Sequence, residues 1–145
     1  MPNTPEADFV QQVAQLNLAI STHITETLAP YDVNASNYFY LMKIGDHPGI
    51  VQREFNDVVH LNPSSITRAV NHLIKKGLVD KRTNPEDRRA TQLYLTADGQ
   101  QITTAINQFI QQLNAELMSR LGPDAQHIFE QLIQLRHSIE QGTAD

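Results

Sequence analysis

Two groups of residues in this chain have the types and spacing to bind a polyanion. One is Asp87-Arg88-Arg89, three charged residues in a row that follow the turn-forming pair Asn84-Pro85. The other is Ser64, Ser65, Thr67, Arg68, Asn71, His72 and Lys75, which lie off the apolar positions Ile66, Val70, Leu73 and Ile74 of a helical repeat. Hydroxyls, amides and guanidinium groups donate and accept the hydrogen bonds that base edges and phosphates also make. Between Ser64 and Arg89 there are seven bases against three acids, net +4; the rest of the chain has four bases against thirteen acids, net -9. A basic stretch on an acidic body can mark the face that meets a polyanion. The plainer reading is a solvated helix and hairpin, with an Asp–Arg ion pair at the tip.

Other chemistries find little support. The 145 residues include no cysteine, so disulfides, thiol nucleophiles and thiolate zinc sites are excluded. The six glycines are scattered at 45, 49, 77, 99, 122 and 142 and form no phosphate-binding loop. There is no nucleophile elbow and no evident pair of carboxylates, so no enzymatic activity and no cofactor are expected. Glu54, Asp57 and His60 are spaced by three, but such a trio is more often a solvated helix face, and no metal site is expected. No apolar run approaches the roughly 20 residues that cross a bilayer, and no signal segment is evident at the N-terminus. The expectation is a soluble cytoplasmic protein without membrane contact.

The elements that must position these residues follow from periodicity. Phe9, Val13, Leu16, Ile20, Ile24 and Leu28 form one stripe, so a helix is expected over 6–29, stopped by Pro30. An aromatic-rich helix follows over 35–45, then a GDHPG loop and a short helix over about 51–60. Asn62-Pro63 reads as an N-cap with proline at the first helical position, opening an amphipathic helix over 63–76 that Gly77 ends. Residues 78–82 and 91–95 read as strands joined by an eight-residue charged loop, 83–90. Thr96 caps a long helix over about 97–121, Gly122-Pro123 breaks it, and a last helix over 124–140 carries Ile128, Leu132, Leu135 and Ile139 in a seam-like spacing.

Helix, short helix, tight turn, amphipathic helix and a two-stranded hairpin with a basic tip is the order of a winged helix-turn-helix. A helix fits the major groove and its first turns reach base edges. A wing arginine suits the minor groove, with Asp87 orienting one guanidinium as a fork. The fold class expected is therefore mainly α with a small β-hairpin wing. The long stripes exceed what a core of about 65 residues can cover, which favours a homodimer.

The run LNPSSITRAVNHLIKKGLVDKR (61–82), followed by Asn84, Asp87-Arg88-Arg89-Ala90 and Leu95-Thr96-x-x-Gly99, resembles the MarR family of bacterial transcription regulators. The Asp-Arg-Arg-Ala and Leu-Thr-x-x-Gly patterns are its most specific part. The resemblance implies a homodimer that binds a pseudo-palindromic double-stranded DNA operator and represses. It implies a DNA-binding lobe over 35–99, with 1–34 and 100–145 as a helical dimerisation region. It implies that residues 64–72 read the major groove, that Arg89 enters the minor groove and that Asp87 holds it. It also implies a small aromatic or lipophilic effector near Tyr31, Tyr38 and Tyr40, although the same rings are candidates for core. The competing reading is a winged-helix module for protein–protein contact, with no specific DNA target.

Overall fold

The computed structural model describes residues 8–59 and 62–142. The described chain comprises a compact unit up to Ile106 and a second from Asn107 on, with one continuous helix running through the division.

In the first unit, α1 spans Phe9–Leu28. Asp8 caps it by accepting from the backbone N–H of Gln11 at 3.3 Å. Of its apolar residues, Ile24 and Leu28 are buried, while Phe9, Val10, Val13, Leu16 and Leu18 are exposed. The α-helix ends ahead of Pro30, as expected, and Pro30 itself sits in a 3-10 turn, Ala29–Tyr31, that ends at Asp32 in the left-handed region. The second helix starts later than expected, α2 being Tyr38–Asp46. The reason is local. Asn34 and Asn37 fold the approach into a turn in which Asn34 Oδ1 accepts from Ser36 N–H and Asn37 Oδ1 from Asn34 N–H. Side-chain bonds of this kind compete with helical ones.

The sheet has three antiparallel strands, not two. Strand β1, Ile50–Val51, pairs with β3, Thr91–Leu95, which pairs on its other side with β2, Val79–Thr83. The order is β1-β3-β2. Val51 therefore ends a strand, and the short helix α3 is Gln52–Val59. His60 lies outside the described residues; Glu54 and Asp57 of the same trio are exposed.

Helix α4, Pro63–Lys75, forms as its sequence dictates. Asn62 Oδ1 accepts from Ser64 N–H at 2.9 Å, with Pro63 in the first turn. At the other end Gly77 adopts φ 74°. Its N–H bonds Ile74 O, and Leu78 N–H bonds Leu73 O, the paired closure that a left-handed residue permits. Ile66, Val70 and Leu73 are buried against a core that includes Leu41, Ile44 and Phe55.

Helix α5, Ala97–Leu121, begins at Thr96, whose Oγ1 accepts from Gly99 N–H at 3.0 Å and donates to Gly77 O at 2.6 Å. One hydroxyl thus caps α5 and ties its start to the end of α4. Gly99 is buried beside this junction, and a Cβ there would stand 2.0 Å from the Leu78 carbonyl oxygen. Only glycine lets the two backbones approach so closely.

The second unit holds the rest of α5, a 3-10 turn at Gly122–Asp124, and α6, Ala125–Gly142. Gly122 takes φ 75° at the turn. Leu113 is buried, but Phe129, Leu132, Leu135 and Ile139 on α6 are all exposed. Glu116–Arg120 and Arg136–Glu140 pair along the polar surface at the i,i+4 spacing.

Candidate nucleic-acid interface

Ser64, Ser65, Thr67, Arg68, Asn71, His72 and Lys75 are all exposed on α4, opposite its buried face. Ser64, Thr67, Arg68 and Asn71 line one shallow concavity of about 480 Å³ with Pro63. The helix N-terminus points the positive end of its dipole toward whatever meets the first turn.

Thr67 also faces a second cleft of about 360 Å³, lined by Gln52 and Arg53 from α3, Pro63 and Ile66 from α4, and Lys81 and Thr91 from the sheet. Gln52 Nε2 donates to Thr67 Oγ1 at 3.3 Å. Gln52 Oε1 is buried with no partner among the described residues. The cleft thus brings the start of α4 together with the root of the wing. Gln52, Arg53 and Lys81 were not singled out from sequence. Gln52 and Arg53 lie on α3 and Lys81 on β2, and no spacing along the chain signals their meeting with the start of α4.

The wing loop, residues 84–90, is built by two side chains that fold backbone. Asn84 Oδ1 accepts from Glu86 N–H at 3.0 Å, and Asn84 N–H bonds Ala90 O across the loop. Asp87 Oδ1 accepts from the backbone N–H of Arg89 at 3.0 Å, and Asp87 O accepts from Ala90 N–H. The expected fork between Asp87 and a guanidinium is not what the carboxylate does. It holds Arg89 through the main chain, as aspartates in turns do. Arg88 and Arg89 are exposed at the tip. Among the described residues no hydrogen bond or ion pair joins them to α4.

Lower on the wing, the Arg82 guanidinium lies 4.2 Å from the centre of the Tyr94 ring. Tyr94 packs over Gly49, where an added Cβ would come within 2.9 Å of the phenol oxygen. Among the described residues, Lys76 alone of the seven bases in the Ser64–Arg89 stretch forms an ion pair, with Asp32 at 2.9 Å.

The three tyrosines expected near an effector do not converge. Tyr40 is 2% exposed and stacks between Phe39 (4.3 Å between ring centres) and Phe55 (5.3 Å). It is a core residue, and its assignment to a ligand pocket is corrected. Tyr38 is half-buried, edge-on to Phe39 at 6.0 Å. Burial pushes the phenols of Tyr38 and Tyr40 above their ordinary range. Tyr31 is exposed and lines a separate cleft of about 470 Å³ with Asp32, Lys76, Leu78, Asp98, Gln101 and Ile102.

Comparison with known proteins bears on this arrangement. The profile of the MarR family matches residues 33–91, from the buried Val33 to the first residue of β3. The multiple antibiotic resistance protein MarR of Escherichia coli K12 is 30% identical over 111 residues, 76% of this chain and 77% of the relative. The chain belongs to the MarR family. The chain superposes on a mutant of E. coli MarR solved in complex with operator DNA, with a TM-score of 0.77 and 26% identity over 92% of this chain and 97% of that one. The transcriptional regulator SlyA shares the fold at a TM-score of 0.83, with 16% identity over 94% and 96% of the two chains. In this MarR-family protein the Leu-Thr-x-x-Gly pattern has a physical reading. Thr96 caps α5 and Gly99 lets that helix press on the backbone at Leu78. Among the described residues no helix is long and apolar enough to cross a membrane.

Proposed function

We propose that this MarR-family protein is a sequence-specific DNA-binding transcriptional regulator that acts as a homodimer on a pseudo-palindromic operator and represses until a small aromatic or lipophilic effector releases it. The observation that carries the DNA-binding reading is α4 itself. A capped helix holds hydroxyl, amide and guanidinium groups exposed along one face, its first turn open to a ligand, while the opposite face is sealed in the core. Ser64, Ser65, Thr67, Arg68, Asn71, His72 and Lys75 would meet the major groove, and Arg88 and Arg89 the adjacent phosphates or minor groove.

Two apolar faces support the dimer. Phe9, Val10, Val13 and Leu16 on α1, and Phe129, Leu132, Leu135 and Ile139 on α6, are exposed. Apolar surface concentrated on helix faces marks association sites. On this reading residues 35–99 are the DNA-binding lobe, and 1–34 and 100–145 the dimerisation region. A dimer would set two copies of α4 about 34–36 Å apart, one turn of DNA. The effector reading rests on the family and on Tyr31 beside its cleft. It predicts that a lipophilic phenol lowers operator affinity and that Tyr31→Ala blunts the effect; an undiminished response in the variant would remove Tyr31 from the site.

The deciding experiment is selection of bound duplexes from a random pool, followed by titration of the selected and random sequences over a salt series. A selected palindromic site bound far more tightly than random DNA, with affinity falling steeply as salt rises, is the expected result. Weak and equal binding to both would favour the winged helix as a protein-contact module.

A further inference from the structure

The two ends of α4 are held by different devices. The first turn is capped locally by Asn62, whereas the last, besides its closure at Gly77, is tied through Lys76 to a distant part of the chain. Lys76, the residue that closes α4, places its Nζ 2.9 Å from the Asp32 carboxylate and also donates to the Asp32 backbone carbonyl. Both acceptors belong to one residue, 44 positions away. The Lys76 side chain is only 17% exposed, so its ammonium is committed to this contact. Asp32 is the only non-glycine with positive φ among the described residues, at 58°. That backbone conformation, at the end of the turn after α1, accompanies the convergence of both oxygens on one ammonium.

We propose that Asp32 is a positioning residue for the DNA interface, acting through Lys76 to fix the angle of α4. The proposal rests on the reading of α4 as the DNA-contacting helix. Apolar contacts at Ile66, Val70 and Leu73 hold the helix to the core, but apolar burial is non-directional and tolerates a small tilt. A charge-assisted bond to two acceptors is directional. At 1.5 Å per residue α4 is about 20 Å long, so a tilt of about 5° about one end moves the other by about 1.7 Å. Hydrogen bonds to base edges are lost over such a shift. Contacts to phosphates, which carry non-specific binding, re-form readily. The clamp therefore governs sequence discrimination and leaves general affinity for DNA untouched.

The test is a double-mutant cycle on the full chain. Asp32→Asn removes the charge but keeps the carbonyl and a residue type at ease with positive φ; Lys76→Met removes the donor. Affinity is read on DNA selected by the wild-type protein and on random DNA. Amide exchange at Gly77 and Leu78, where α4 closes, is read without DNA. The expected result is a loss of about two- to fivefold on the selected site for Asp32→Asn, the range an ion pair with one exposed partner supports. Random DNA is bound as before. The double variant is no weaker than Lys76→Met alone, and exchange at Gly77 and Leu78 quickens in all three. Losses that multiply in the double variant, equal losses on both DNAs, or unaltered exchange would each overturn the proposal. If the wild type selects no sequence, the DNA reading fails by itself. Exchange then still decides the clamp, since unaltered protection in Asp32→Asn refutes it and faster exchange sustains it.

Discussion

Gly99→Ala sets two known effects against each other. Gly99 lies in the first turn of α5, and helix propensity alone favours alanine there by about 1 kcal/mol. The structure argues the opposite sign. The new Cβ would stand 2.0 Å from the Leu78 carbonyl oxygen and 3.0 Å from its carbon. Both are backbone atoms, so no side chain can rotate away. That same carbonyl accepts from Thr96 N–H at 3.1 Å, and moving it strains this bond. Overpacking costs about 1–3 kcal/mol, and the weakened hydrogen bond about 0.5–1.5 kcal/mol. Set against the propensity gain, the net destabilisation is about 0.5–3.5 kcal/mol. Urea unfolding of variant and wild type at one protein concentration measures it, the concentration being matched because association shifts apparent stability. Since the crowded carbonyl lies where α4, β2 and α5 meet, operator affinity should fall with stability. A variant as stable as wild type, or more stable, would falsify the close approach and leave propensity as the governing effect.

Four further outcomes are expected. Arg89→Ala should lower operator affinity with unchanged unfolding, while Asp87→Asn, which keeps a side-chain oxygen for the Arg89 N–H, should stay near wild type; a loss in Asp87→Asn equal to that in Asp87→Ala would restore a role for the charge. Arg68→Ala should weaken binding to the selected site by about 1–3 kcal/mol and random DNA much less, whereas equal losses in parallel titrations would make Arg68 a phosphate contact. Asn62→Ala should destabilise the fold by about 0.5–2 kcal/mol in denaturant titrations through loss of the cap, and an unchanged midpoint would mean that Pro63 alone starts α4. Burial raises the folded-state pKa of Tyr38 and Tyr40 above the ordinary 10.0. Their neutral phenols thus favour the fold fully below pH 10, and this contribution is lost as pH climbs past 10 through the folded values. Tyr40→Phe should lessen the drop in stability between pH 9 and 11, and an identical drop in both proteins would exclude Tyr40 as its source.

The elements whose signals are local were legible in the amino-acid order. Asn62-Pro63, the apolar repeat through Ile66, Val70 and Leu73, and Gly77 delimit α4, because caps and a left-handed glycine act within a few residues of themselves. Thr96 opened α5 for the same reason. The exposed face of α4 and the arginines at the wing tip followed from these boundaries. Tertiary structure alone decided the rest. Strand β1 is two residues long and exists only through its pairing with β3, about 40 positions on. Tyr40 became core and Tyr31 a cleft residue because Phe55 and Lys76, each remote in sequence, come to lie beside them. Asp87 turned inward to its own backbone, a choice between two equally available donors that only the folded loop makes. The Asp32–Lys76 clamp spans 44 positions, and the Gln52–Thr67 bond links two helices. Such contacts leave no period in the sequence, since what brings their partners together is the packing of the elements between them.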